Sequence, residues 1–240
     1  MIPPIAEMSK FKEIAKPGFA NAAFERVKPY VSEFLTDKHP YRSGAVCPFV
    51  AGALKNDDIY FSYGNHVTDT DWDAHIATCV LFMSSLRNRD NKFGRALIIL
   101  LPEDFDVATL LRIHVRNKIR CVKSFLMLGA LYKESNALSL HSHDFYPLRT
   151  PVPTLVIREI TAGDLIFLEP SHYNVLSRLR FLHAFISRFD VPSASKFERA
   201  QVEVARYKAR QYRCEIRRTM STYLGAVLVL TGIVFLLCRV

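Results

Sequence analysis

Apolar residues recur along this chain in two rhythms. Between Asp71 and Leu86, the positions Ile76, Val80, Met83 and Leu86 return at steps of three and four, the period of a helix with one buried face. Ser171 to Phe189 repeats the pattern with Val175, Leu176, Leu179, Leu182 and Ile186. Phe105 to Arg120 reads as another helix, opened by Asp104 or Asp106 and closed by Arg116, Lys118 and Arg120, which suit the helix dipole. Phe19 to Leu35 is helical too, interrupted or kinked at Pro29. Short apolar or aromatic runs between turn residues predict strands at Asp58–Tyr63, Arg95–Leu101, Ser124–Tyr132 and Thr154–Ile160.

The order α-β-α-β-α-β-β-α predicts an α+β domain, a four-stranded mixed or antiparallel sheet packed by helices. It occupies residues 19–190, after an irregular lead at 1–18. Two long loops interrupt it, Thr36–Val50 and Lys133–Pro153. The second is long for a compact domain and therefore a candidate functional loop.

Ser195 is placed to cap a last helix starting at Lys196. Its first part, residues 195–218, is basic. From Met220 to Cys238 no residue is charged, and a helix of that length roughly matches a ~30 Å hydrocarbon core. The expectation is a single-pass transmembrane tail anchor at 219–239. The lipid bilayer and its anionic headgroups are then the partners, and the N-terminal domain lies in the cytosol.

Charge changes the picture little. The net charge is +9, but eight basic side chains against three acidic ones lie between Lys196 and Arg218. Such a local excess suits the membrane flank, so no nucleic-acid partner is expected. Five scattered cysteines without a C-x-x-C pair argue for a reducing compartment and against a zinc ribbon. Met1-Ile2-Pro3-Pro4 does not open like a cleavable signal peptide. G-x-S-x-G, P-loop, G-x-G-x-x-G and H-E-x-x-H patterns are missing, which removes the common hydrolases, P-loop nucleotide enzymes and zincins at the level of motif.

Three stretches could carry chemistry. Cys47-Pro48 puts a thiol in a loop whose geometry proline partly fixes, as a nucleophile or iron ligand, or as a small buried hydrophobe. His141-Ser142-His143-Asp144 can direct two imidazoles to one side of an extended segment, or be a solvated loop. Tyr146-Pro147-Leu148-Arg149-Thr150-Pro151-Val152-Pro153 presents Arg149 in a fixed position, suited to bidentate capture of a carboxylate or to an internal ion pair. Asp71, Trp72 and Asp73 read most simply as helix caps.

Taken together, Ser43-Gly44-Ala45-Val46-Cys47-Pro48-Phe49-Val50, Met127-Leu128-Gly129, Tyr146 to Pro153, Val156-Ile157-Arg158 and Asp164 to Leu168 resemble an uncharacterised microbial domain family over about residues 36–185. More distantly, the layout is similar to haem-dependent guanidine N-hydroxylases. That resemblance implies a b-type haem, oxygen chemistry on a small amine or amino-acid-like substrate, and an axial histidine. Where both families have His-Pro, this chain has Tyr132-Lys133, so Tyr132, His141, His143 or Cys47 would supply the ligand and Arg149 would hold a substrate carboxylate. Two functions stand side by side: a tail-anchored haem- or iron-dependent oxygenase, and a non-catalytic membrane-tethered scaffold.

Overall fold

A computed structural model describes residues 8–11, 22–64, 71–89 and 94–237, with side chains described outside 87–89 and 224–237. The chain divides into two compact units, residues 1–160 and 161–240.

The first unit is built on a five-stranded mixed sheet in the order β1-β2-β3-β5-β4. Its strands are β1 (Ser9–Lys10), β2 (Ile59–Tyr63), β3 (Ala96–Leu100), β4 (Leu126–Leu131) and β5 (Thr154–Glu159). β2 and β3 are parallel, and the other neighbours are antiparallel. The sheet thus has one strand more than expected. The extra one, β1, is two residues from the lead that was read as irregular, too short to leave a periodicity. β5, the last in sequence, lies between β3 and β4, with Ile98 opposite Val156 and Leu128 opposite Ile157.

Burial on both faces explains the near-continuous apolar runs of the strands. On one face, α3 (Trp72–Arg89) and α4 (Val107–Lys123) bury Trp72, Ile76, Cys79, Met83, Leu110 and Ile113 against Leu97, Ile99, Leu128 and Ile157. On the other, α1 (Ala22–Pro29), its π-helical continuation Tyr30–Phe34 and α2 (Val50–Asn56) cover Phe61, Ile98 and Leu100 with Phe24, Val27, Val31 and Ala53. At Pro29, where an interruption or kink is expected, the helix changes pitch, and α2 occupies a stretch to which no element was assigned. α2 ends on Asp57 in the left-handed conformation (φ 58°), which turns the chain into β2. Asp106 caps α4 by accepting from the N–H groups of Ala108 and Thr109. Trp72 is no cap: its indole is fully buried in the core.

The second unit is helical. A 3₁₀ turn at Ala162–Phe167 precedes α5 (Val175–Phe189) and α6 (Lys196–Leu237). Buried Leu179, Leu182, Phe185 and Phe189 of α5 and Val202, Ala205 and Ala209 of α6 are its apolar faces, and the two helices pack together. Ser195 and Glu198 form a reciprocal capping box at the start of α6. Tyr212 donates to Glu169 (2.8 Å), which Lys208 also pairs.

Among the described residues, no helix is long and apolar enough to cross a membrane. The expected tail anchor at 219–239 is corrected accordingly, and with it the single-pass membrane localisation and cytosolic orientation. The described side chains of α6 reach Tyr223 and are largely charged or polar on their exposed side. The apolar run read as the anchor falls almost wholly on 224–240, outside the described side chains.

Candidate functional site

Two regions of the first unit gather the candidate residues. The first is where the 36–49 and 132–153 loops meet. Tyr41 N–H donates to His39 Nδ1 (3.0 Å), which fixes the proton of the neutral ring on Nε2, and Nε2–H donates to Ser139 Oγ (3.0 Å). His39 is buried, with Phe145 packed edge-on against its ring at 4.9 Å and His141 perpendicular at 5.9 Å. Burial first, then the charges of Arg42 and His141, hold its pKa below the ordinary histidine value.

This polarity matters chemically. A base that activates a serine must present a lone pair to the hydroxyl and have its other nitrogen donate to an orienting acceptor. Here both roles are inverted. His39 and Ser139 join two loops; they are not a nucleophile and its base.

The neighbours extend the same network. Tyr41 donates its hydroxyl to Asp144 Oδ2 (2.8 Å), and Ser142 Oγ donates to Asp144 Oδ1. These two hydrogen bonds lower the Asp144 pKa. His141 and His143 are exposed, and among the described residues no three His, Cys, Asp or Glu side chains are placed to hold a metal ion. The two imidazoles and Asp144 are therefore not gathered as ligands; the carboxylate is engaged by hydroxyls. Cys47 is half-buried, its N–H donating to Leu35 O (2.8 Å). It lies close to Tyr30, whose phenol donates to Pro147 O (2.6 Å); burial, then Cys47, push the Tyr30 pKa well above its usual value.

The second region is a cleft of about 210 Å³ at one end of the sheet, lined by Glu103, Phe105, Val107, Tyr132, Lys133, Glu134, Pro151 and Pro153. β3 and β4 reach it with the segments that follow their last residues, and β5 with the segment before its first. Tyr132 and Phe105 pack on the core, while Lys133, Glu134 and Glu103 are exposed. Arg26 pairs with Glu103. Arg149 Nε donates to Ser135 O (2.9 Å), one residue beyond Glu134, and its guanidinium stacks on Tyr146 at 3.9 Å.

Of the five residues singled out from sequence, Tyr132 lines the cleft and Arg149 is bonded to the segment that lines it. Cys47 and His141 belong to the loop junction, and His143 is on its exposed edge. His39 and the cleft residues Glu103, Phe105, Lys133 and Glu134 were missed. A single histidine before Pro40, and charges separated by a strand pairing, leave no spacing to find.

These surroundings do not fit a haem. The cleft beside Tyr132 is smaller than the ~300–1,000 Å³ typical of pockets for drug-sized ligands. The two loop histidines lie on an exposed turn, and Cys47 is half-buried close to Tyr30.

A family model for a domain of unknown function, DUF6875, matches residues 24–200. The chain belongs to this family. The expected resemblance to an uncharacterised family is thereby correct, and the DUF6875 match takes in both structural units, from α1 to the first turn of α6. No curated protein and no solved structure matches the DUF6875 chain, so a likeness to haem-dependent guanidine N-hydroxylases is not shown. The tail-anchored oxygenase and the membrane-tethered scaffold are both set aside, because each required the span.

Proposed function

We propose that the unit of residues 1–160 binds a small organic carboxylate in the cleft at the end of its sheet. The observation that supports this is the convergence of three adjacent strands on one small concavity, whose lining combines Phe105, Val107, Pro151 and Pro153 with the Lys133 ammonium, the Tyr132 phenol and the Glu103 and Glu134 carboxylates. Phe105, Val107, Pro151 and Pro153 exclude water from the apolar part of such a ligand. Lys133 supplies the counter-charge to its carboxylate and Tyr132 a hydroxyl. Arg149, stacked on Tyr146, stands at the adjoining wall as a second cation in fixed geometry. Glu103 is occupied by Arg26, which leaves Glu134 to select against a second negative group.

Calorimetry of the full chain against acetate, propanoate, succinate and the common amino acids tests this reading. Binding of at least one monocarboxylate, weakened about tenfold to a hundredfold by Lys133→Ala or Arg149→Ala, is the expected result. Carboxylate binding unchanged in the Lys133→Ala/Arg149→Ala double variant would overturn it, as would no binding by any member of the series.

A further inference from the structure

We infer that a second copy of this chain docks along the exposed face of α6, as a parallel, two-fold symmetric helix pair. α6 uses one side, through Val202, Ala205 and Ala209, in the core of its own unit. On the opposite side, positions recur at seven-residue intervals in two interleaved series. Phe197, Val204, Gln211 and Arg218 form one, and Ala200, Tyr207, Cys214 and Ser221 the other; all eight are exposed. Phe197 is 57%, Val204 43% and Tyr207 62% exposed, large apolar side chains on a helix whose inner face is already satisfied. Alternating steps of three and four are the spacing of a coiled-coil seam, with the first series at a and the second at d. Gln211 at a is the kind of polar position that fixes register and strand number at some cost in stability.

Charge complementarity selects the occupant. In a parallel pair, each g residue faces the e residue five positions later on the partner. The g positions here are Glu203, Arg210 and Arg217, and the e positions are Gln201, Lys208 and Glu215. Glu203 therefore faces Lys208 of the other copy, and Arg210 faces Glu215, both opposite in sign. The two-fold axis makes each of these contacts twice. An antiparallel pair would instead bring g to g and e to e, so Arg210 would no longer meet Glu215 of the other copy, nor Glu203 meet Lys208. A second copy in parallel register is the arrangement this face fits. Within its own chain Lys208 also pairs Glu169 and Glu203 pairs Arg206, so Arg210–Glu215 is the cleaner contact to probe.

Sedimentation velocity of the full chain over a concentration series, with circular dichroism to verify folding, is the test. Arg210→Glu and Glu215→Arg are each expected to weaken the dimer about tenfold, because each places two like-charge contacts in the seam. The double variant Arg210→Glu/Glu215→Arg is expected to recover the original association. In a Cys47→Ser/Cys238→Ser background, a short bis-maleimide is expected to couple Cys214 to its counterpart in high yield. A folded monomer at every concentration overturns the proposal. So does association indifferent to both single reversals, or a double variant as weak as the singles.

Discussion

His39 Nε2 and Ser139 Oγ lie 3.0 Å apart although a hundred residues separate them in sequence. This contact, with Tyr41–Asp144 beside it, ties the 36–49 loop to the 132–153 loop, the segment that carries Tyr132, Lys133 and Arg149. Replacing His39 by Ala removes a buried ring and two hydrogen bonds at once, leaving Tyr41 N–H without its acceptor. A loss of about 1–3 kcal/mol is expected in urea unfolding. Amide exchange should quicken throughout 135–147 while β2 and β3 stay protected. Uniform quickening across the sheet would show that the contact does not act locally.

Proton linkage gives the stability of this fold a definite sign. His39, His75 and His183 all have pKa values below the ordinary 6.5, with burial the leading cause in each. The folded state then binds protons less readily than the unfolded one. The stability that follows is fully present above about pH 6.5 and is lost as pH falls from there through the folded-state values. Asp106, Asp144 and Glu198, held below 3.8, 3.8 and 4.5, add a second loss at lower pH still. Urea midpoints should therefore decline in two stages on acidification. His39→Gln keeps an acceptor and a donor but cannot titrate, so it should shrink the upper stage alone. An unchanged upper stage would assign it to the other two histidines.

Arg95 and Asp58 form a buried pair at the other end of β3, with Nε to Oδ1 at 3.5 Å and Arg95 Nη1 donating to Leu86 O at 3.0 Å. Arg95→Met leaves a buried carboxylate without its counter-charge. A loss of about 3–5 kcal/mol is expected in chemical denaturation. Adding Asp58→Leu should recover most of that, because removing both charges removes the desolvation cost with them. A double variant no more stable than Arg95→Met would contradict this account.

Gly64 follows β2 where a Cβ would sit 2.5 Å from Trp72 Cη2 and 3.2 Å from Leu101. The indole is fully enclosed and cannot retreat, so Gly64→Ala is expected to destabilise by about 1–3 kcal/mol. Trp72 is the single tryptophan, and its emission should shift to the red in the folded variant as the ring is displaced. Native emission and native stability together would refute the close approach.

Periodicity carried most of this architecture. The series Ile76, Val80, Met83 marks the buried side of α3, and Asp106 and Ser195 cap the helices they were expected to open. All four predicted strands exist. What the chain could not reveal locally was pairing order, because β5 enters between strands already present and nothing in Thr154–Glu159 names its neighbours. β1 stayed hidden since two residues cannot display an alternation. The site was legible only in part: Tyr132 and Arg149 stood out by type and context. Lys133, Glu134 and Glu103 acquire meaning only from a cleft made by strand ends, and His39 from a partner on a distant loop. The expected anchor rested on the length and lack of charge of 220–238, whereas among the described residues no helix is long and apolar enough to cross a membrane.

The insertion of β5 also dictates when the first unit can be finished. As the chain emerges from a ribosome, β2 and β3 can pair and β4 can form, but β3 and β4 each retain an open edge until residues 154–159 appear. Chains from which residues up to about 150 have left the ribosome expose two apolar strand edges, a state prone to join with its neighbours. Emergence of β5 then closes both at once.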